Sequence, residues 1–78
     1  MKGVKYNLTI KKPNDEYYLY QNIDMNELCN KIKIIMKELY NIDNLKLNNQ
    51  IIYNLMKRPA RARKLLREFI KVEKTVKN

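Results

Sequence analysis

Histidine is absent from this chain, and cysteine and glycine occur once each, as Cys29 and Gly3. Without histidine the commonest general base near neutral pH is missing, and with it the usual metal ligand. A single cysteine excludes an intramolecular disulfide framework. A single glycine excludes a glycine-rich loop that could cradle phosphates. No apolar run approaches the roughly 18 residues of a membrane span, and no secretory apolar segment follows Met1. Acids are also scarce, eight against seventeen lysines and arginines. Local duties account for several of them: Asp15 and Glu16 lie at a turn, and Asp24 and Glu27 at a helix start, where capping and dipole complementarity use them. Cys29 falls among the apolar positions of an expected helix and reads as a small hydrophobe rather than a nucleophile. These absences argue against an enzyme, a cofactor or metal site, a small-molecule substrate and a membrane protein. An intracellular, reducing compartment is the expectation.

What the chain does have is basic charge, unevenly placed. Residues 57–78 hold nine of the seventeen basic residues, including all four arginines, against two acids: a net of +7 out of +9. The first 56 residues, with eight lysines and six acids, supply the remaining +2. A segment of this kind suits a polyanion, because each phosphate neutralised by Lys or Arg releases condensed counterions. Double-stranded DNA is the leading candidate, and a merely solvating helix face is its competitor.

Seventy-eight residues allow one domain with a small core, since a chain this short buries only about 60% of its unfolded surface. From Val4 to Lys11 apolar and polar residues alternate strictly, as in a half-buried strand. Lys12-Pro13-Asn14-Asp15 supplies turn residues, and Glu16–Ile23 resumes an extended, tyrosine-rich run. Residues 1–23 therefore read as a β-hairpin. Asp24 with Glu27 resembles a capping box, and Leu28, Cys29, Ile32, Ile35, Met36, Leu39 and Tyr40 recur at helical intervals, predicting a helix over Met25–Tyr40. Residues 41–47 are irregular, with Ile42, Leu45 and Leu47 expected against the core. Asn48 or Asn49 can cap a second helix with Ile51, Ile52, Leu55 and Met56 inward, ended by Arg58-Pro59. Pro59 suits the first turn of a third helix over Ala60–Arg67, with Leu65, Leu66 and Phe69 inward. Beyond it, Leu65, Phe69, Val72 and Val76 fit a continuing helix, whereas Ile70 and Val72 fit a strand over Phe69–Lys74 that would join the hairpin; the strand is favoured. The fold class is small α+β: a hairpin (1–23) packed on a helical pair (24–58), followed by a basic helix or strand (59–78).

Two constellations carry binding chemistry. With Ile51, Ile52, Leu55 and Met56 inward, Gln50, Tyr53, Asn54 and Lys57 lie on the outer face of the second helix. Asn and Gln can bond adenine bidentately, Lys can reach guanine, and Tyr can touch a thymine methyl or a phosphate; an ordinary polar face in an Asn-rich chain is the alternative. The run Lys57-Arg58-Pro59-Ala60-Arg61-Ala62-Arg63-Lys64 places five bases in eight residues beside two small alanines. Together with Arg67 it suits phosphate contacts, because a planar guanidinium grips a phosphate or a guanine in a way an ammonium cannot. On the second strand, Tyr18 and Tyr20 share one face and Tyr17 takes the other. Exposed tyrosines could stack on unpaired bases, although packing in the hairpin is the commoner use.

The succession of helix, connector and short helix ending in Ile52, Tyr53, Asn54, Leu55, Arg58 and Pro59 resembles a helix-turn-helix module. More specifically, Asn22–Lys74 is similar in plan to small DNA-binding modules that accompany homing endonucleases, and to short basic proteins of amoeba-infecting giant viruses and their mobile elements. The resemblance implies a recognition helix at Asn49–Lys57 with Gln50, Tyr53, Asn54 and Lys57 toward the major groove, and the arginine cluster clamping the flanking backbone. It also implies packaging or regulation of DNA in a host cytoplasm, nucleus or virion. With one short reading helix, specificity would call for a homodimer on paired half-sites. Three rivals stand beside this expectation: RNA or single-stranded binding through Tyr18 and Tyr20, an inhibitor or adaptor docked on an acidic protein partner, and a basic amphipathic helix over residues 59–76 lying on anionic lipid.

Overall fold

Tyr6, Leu8 and Ile10 alternate with Asn7, Thr9 and Lys11, and they form strand β1 (Tyr6–Lys11) with the apolar set buried. The protein is represented by a computed structural model that describes residues 4–75. Val76, a possible end of the last element, lies outside the described residues. The strand starts two residues later than its alternation suggests, and Val4 stays 49% exposed. Pairing fades there: Ile23 and Lys74 both oppose Tyr6, the chain leaves β2 at Ile23, and on the β3 side one more bond follows, from the Thr75 amide to the Lys5 carbonyl at 2.9 Å.

Pro13 sits second in a turn closed by the Asp15 amide donating to the Lys12 carbonyl at 3.0 Å, and Asn14 Oδ1 accepts from the Glu16 amide at 3.1 Å. The chain returns as β2 (Tyr17–Ile23), antiparallel to β1. Plain alternation from Tyr18 and Tyr20 would point Asn22 at the core. Instead the register shifts between Tyr6 and Leu8, Asn22 adopts φ 61°, and Ile23 is buried. This is a β-bulge, held where Asn7 Oδ1 accepts from the Asn22 amide at 3.0 Å. All four non-glycine residues with positive φ among the described residues are Asn or Asp: Asp15, Asn22, Asn41 and Asn44. In a chain nearly without glycine, these two residue types take over the left-handed positions, at low cost because their side chains bond locally.

Helix α1 (Met25–Tyr40) has the bounds its periodicity predicts. Asp24 caps it, its carboxylate accepting from the Glu27 amide at 2.8 Å, and Asn41 in the left-handed region ends it. Asp24→Ala should cost about 1 kcal/mol, lowering the melting temperature by about 4–8 °C in a domain of this size. Asp24→Asn, which keeps the acceptor, should retain most of that stability; thermal denaturation followed by circular dichroism checks both. Residues 41–48 then run without regular structure, burying Leu45 and half-burying Ile42 and Leu47. Asn48 caps helix α2 (Asn49–Lys57) by accepting from the Ile51 amide at 2.9 Å. Ile52 and Leu55 are buried, and Ile51 and Met56 flank them half-buried.

The third helix departs from expectation. Pro59–Arg61 form a single 3-10 turn, Ala62 and Arg63 are extended, and α3 spans only Lys64–Phe69. A helix running through Ala60–Arg67 would stack Arg63 on Arg67 at i,i+4, and such a like-charge pair is destabilising. Arg63 also offers no side-chain cap. The chain then turns directly into β3 (Ile70–Lys74), antiparallel to β1, giving a three-stranded sheet in the order β2-β1-β3. Ile70 and Val72 are buried opposite Ile10 and Leu8. Cross-strand packing of β-branched side chains on the central strand thus outweighs the helical spacing. α1 packs on β1 and α2 on β3, both on the face that carries Leu8, Ile10 and Val72. The opposite face of the sheet, with Tyr17 and Leu19, is left open at 59% and 60% exposure.

Candidate nucleic-acid interface

On α2, Gln50, Tyr53 and Lys57 are exposed and Asn54 is half-buried. The amphipathic pattern that buries Ile52 and Leu55 therefore turns this polar set outward, as its spacing predicts. Gln50 Nε2 donates to Asn54 Oδ1 at 3.1 Å, so the two amides brace each other one helical turn apart. Each still has hydrogen-bonding capacity to spare: the Gln50 carbonyl and the Asn54 amino group. Gln50 and Tyr53 also border a shallow cleft with Tyr6, Met25, Asn49, Met56 and Lys74, which brings the end of β3 beside the helix.

The basic run follows α2 without interruption. Lys57, Arg58, Arg61, Arg63, Lys64 and Arg67 are all exposed. Within 57–64 the one buried residue is Ala62, which joins the core and pins the segment while Arg61 and Arg63 on either side remain in solvent. Among the described residues, Lys57, Arg58, Arg61 and Arg63 make no ion pair, and Lys64 pairs with Glu68 at 3.9 Å. Most of the arginine charge is thus left without an internal partner, in a chain whose other lysines often have one. Lys11, Lys12, Lys37 and Lys71 each reach a carboxylate within 4 Å.

Arg67 is placed differently from the other three arginines. Its Nη1 donates to the carbonyls of Ala62 at 3.3 Å, Pro59 at 3.4 Å and Ala60 at 3.5 Å. The guanidinium bridges α3 to the 3-10 turn and holds the segment in shape, while its other nitrogens stay available. Sequence spacing offered no sign of this, because it depends on the break at Ala62–Arg63. With Arg67→Ala, hydrogen exchange at the Arg61 and Ala62 amides, which bond to the Arg58 and Pro59 carbonyls, should accelerate. Amides of the β1–β2 ladder should keep their protection, since they open with the sheet rather than with this turn.

Other candidates take structural places. Tyr18 and Tyr20 lie on the helix side of β2, half-buried and stacked with centroids 6.2 Å apart. The Lys12 ammonium sits 4.3 Å from the Tyr18 centroid and the Lys31 ammonium 4.8 Å from that of Tyr20. Each ring therefore has a lysine over one face, and the pair packs within the hairpin. Burial pushes the half-buried Cys29 thiol up, with Lys33 opposing, so the nucleophilic thiolate is disfavoured. Burial likewise raises Tyr40, with the Lys11 ammonium opposing and Asp15 adding to the rise; its hydroxyl donates to the Lys11 carbonyl and its ring packs on Phe69 at 4.4 Å. Among the described residues, no group of three His, Cys, Asp or Glu could hold a metal ion, and no helix is long and apolar enough to cross a membrane. A single amphipathic helix over residues 59–76, which lipid-surface binding would need, is excluded by β3. Compared with family models, with curated proteins and with solved structures, the chain finds no match.

Proposed function

We propose that this protein binds double-stranded DNA through the arginine-rich segment Lys57–Arg67 and the adjoining outer face of α2, in packaging or regulating DNA rather than altering it chemically. The observation that carries the reading is the exposed set Lys57, Arg58, Arg61 and Arg63, without an ion-pair partner among the described residues and pinned to the core by Ala62. Cations left without carboxylate partners on an anchored segment are suited to phosphate oxygens, which reward positive charge by counterion release. Gln50, Asn54 and Tyr53 stand one to two turns upstream on the same helix that delivers Lys57, where an α-helix in the major groove would present them to base edges. The 41–48 connector is longer than a tight helix-turn-helix turn, so α2 owes its position to packing on β3.

Fluorescence anisotropy of labelled duplex DNA, titrated at several salt concentrations, tests the reading. Four or five phosphate contacts predict a slope of log affinity on log salt of about −4. Absence of binding at low salt would overturn it and direct the basic surface toward an acidic protein partner.

A further inference from the structure

The open face of the sheet carries a second set of residues suited to nucleic acid, gathered from three strands and α3. Tyr17 lies directly opposite Lys11, and in the next row Leu19, Thr9 and Lys71 line up across β2, β1 and β3. Side chains opposite one another on adjacent strands share a face with Cβ atoms about 5 Å apart. The Tyr17 ring is 59% exposed and Leu19 60% exposed. A cleft along this face is bordered by Thr9, Lys11, Tyr17, Arg67, Glu68 and Lys71, together with the start of β3. Arg67 thus borders this cleft while its Nη1 holds the arginine segment. The two surfaces are continuous through this residue.

Resting on the duplex-binding reading, we infer that the open sheet face takes an unpaired stretch of the same nucleic acid, with a base stacked on Tyr17 and phosphates held by Lys11, Lys71 and Arg67. An exposed aromatic ring bordered by cations on a flat sheet is the combination that single strands require, because every base has a π-face and every linkage a charge. Duplex DNA cannot use Tyr17 in this way, since its bases are already stacked. Two apolar side chains are too little for a second copy of the chain, which would need on the order of 1,200–2,000 Å² in total. The acids on this face do not forbid an anion. Lys11 pairs with Asp15 at 3.5 Å, Lys71 with Glu73 at 3.5 Å and Glu68 with Lys64 at 3.9 Å, and all are exposed pairs. Such pairs are worth at most about 1 kcal/mol, so phosphates can replace the carboxylates.

The test compares a labelled duplex with the same duplex carrying a single-stranded oligothymidine tail or a tail of abasic units, against the wild type, Tyr17→Phe and Tyr17→Ala. The thymidine tail should bind about tenfold more tightly than the abasic tail in the wild type and in Tyr17→Phe, in keeping with one stacked base. The abasic tail, which keeps the phosphates, should add only the salt-sensitive part of the gain. Tyr17→Ala should bring the tailed duplex back to the affinity of the abasic-tailed one, with plain duplex binding and the melting curve unchanged, because the side chain is exposed. If Tyr17→Ala keeps the gain, if the abasic tail gives the same gain, or if the plain duplex binds and the tail adds nothing, this inference is wrong and duplex binding stands. If no duplex or tailed duplex binds at low salt, the functional reading falls and takes this inference with it.

Discussion

Replacing Arg58, Arg61 and Arg63 together by Ala should leave the fold intact and reduce affinity for duplex DNA on the order of a thousandfold at low salt, at about 1.5 kcal/mol for each charge-assisted bond lost. The salt slope should shrink by about 3 at the same time, near 0.9 for each phosphate no longer neutralised. The physical basis is that all three side chains are exposed and, among the described residues, make no ion pair or side-chain hydrogen bond that their removal would break. Ala62 and Leu66, which are buried, continue to hold the segment in place. Arg67 is left out of the variant because it bonds the segment's own carbonyls, and its loss would mix a change of shape with a change of charge. Anisotropy titrations at matched salt, alongside melting curves, separate the two effects. An unchanged slope would mean that the arginines do not meet phosphates. A charge-preserving variant with Lys at the same three positions should keep the slope while losing affinity, because an ammonium cannot make the bidentate contact of a guanidinium.

Leu8→Ala should have the largest effect on stability, costing about 2–5 kcal/mol in a core where the neighbours cannot collapse into the gap. Leu8 is fully buried on the central strand, facing Tyr20 on one side and Val72 on the other, and packs beneath both helices' layer. A chain of this length has a total stability of about 4–12 kcal/mol, so one such cavity consumes much of the margin. The expected fall in melting temperature is about 10–30 °C. Leu19→Ala, one row from the same strand pair but on the open face, should change stability by less than about 0.5 kcal/mol. The contrast between two leucines of one sheet would confirm that a single face carries the core, and comparable losses would contradict the topology.

The bounds of α1 were legible because three local signals agree there: a capping aspartate, a helical apolar stripe and an asparagine able to end the helix in the left-handed region. The hairpin was legible for the same reason, with alternation on both sides of Pro13-Asn14-Asp15. Where local signals competed, the chain itself was ambiguous. Residues Ile70–Lys74 satisfy both helical and strand spacing, and the tie was broken by Leu8 and Ile10, some sixty residues away in sequence, which they cover. The break at Ala62–Arg63 was hidden because helix propensity is favourable on both sides, and only like-charge crowding and the burial of Ala62 oppose it. The face of the sheet on which each tyrosine lies follows from alternation. That Tyr18 and Tyr20 would be capped by Lys12 and Lys31, leaving Tyr17 as the free ring, does not.

By itself, then, the amino-acid order determined the quantities that depend on neighbours along the chain. These are the concentration of charge in residues 57–78, the caps and turns, the use of Asn and Asp at left-handed positions, and the outward set Gln50, Tyr53 and Lys57. The tertiary structure decided what depends on residues far apart: the third strand, the bulge that turns Ile23 inward, the diversion of Arg67 to the segment's carbonyls, and the meeting of Lys11, Tyr17 and Lys71 on one face. The division has a physical origin. Capping, turn geometry and Coulomb repulsion act over a few residues, whereas burial rewards whichever distant side chains exclude water together, and that pairing exists only once the chain has closed on itself.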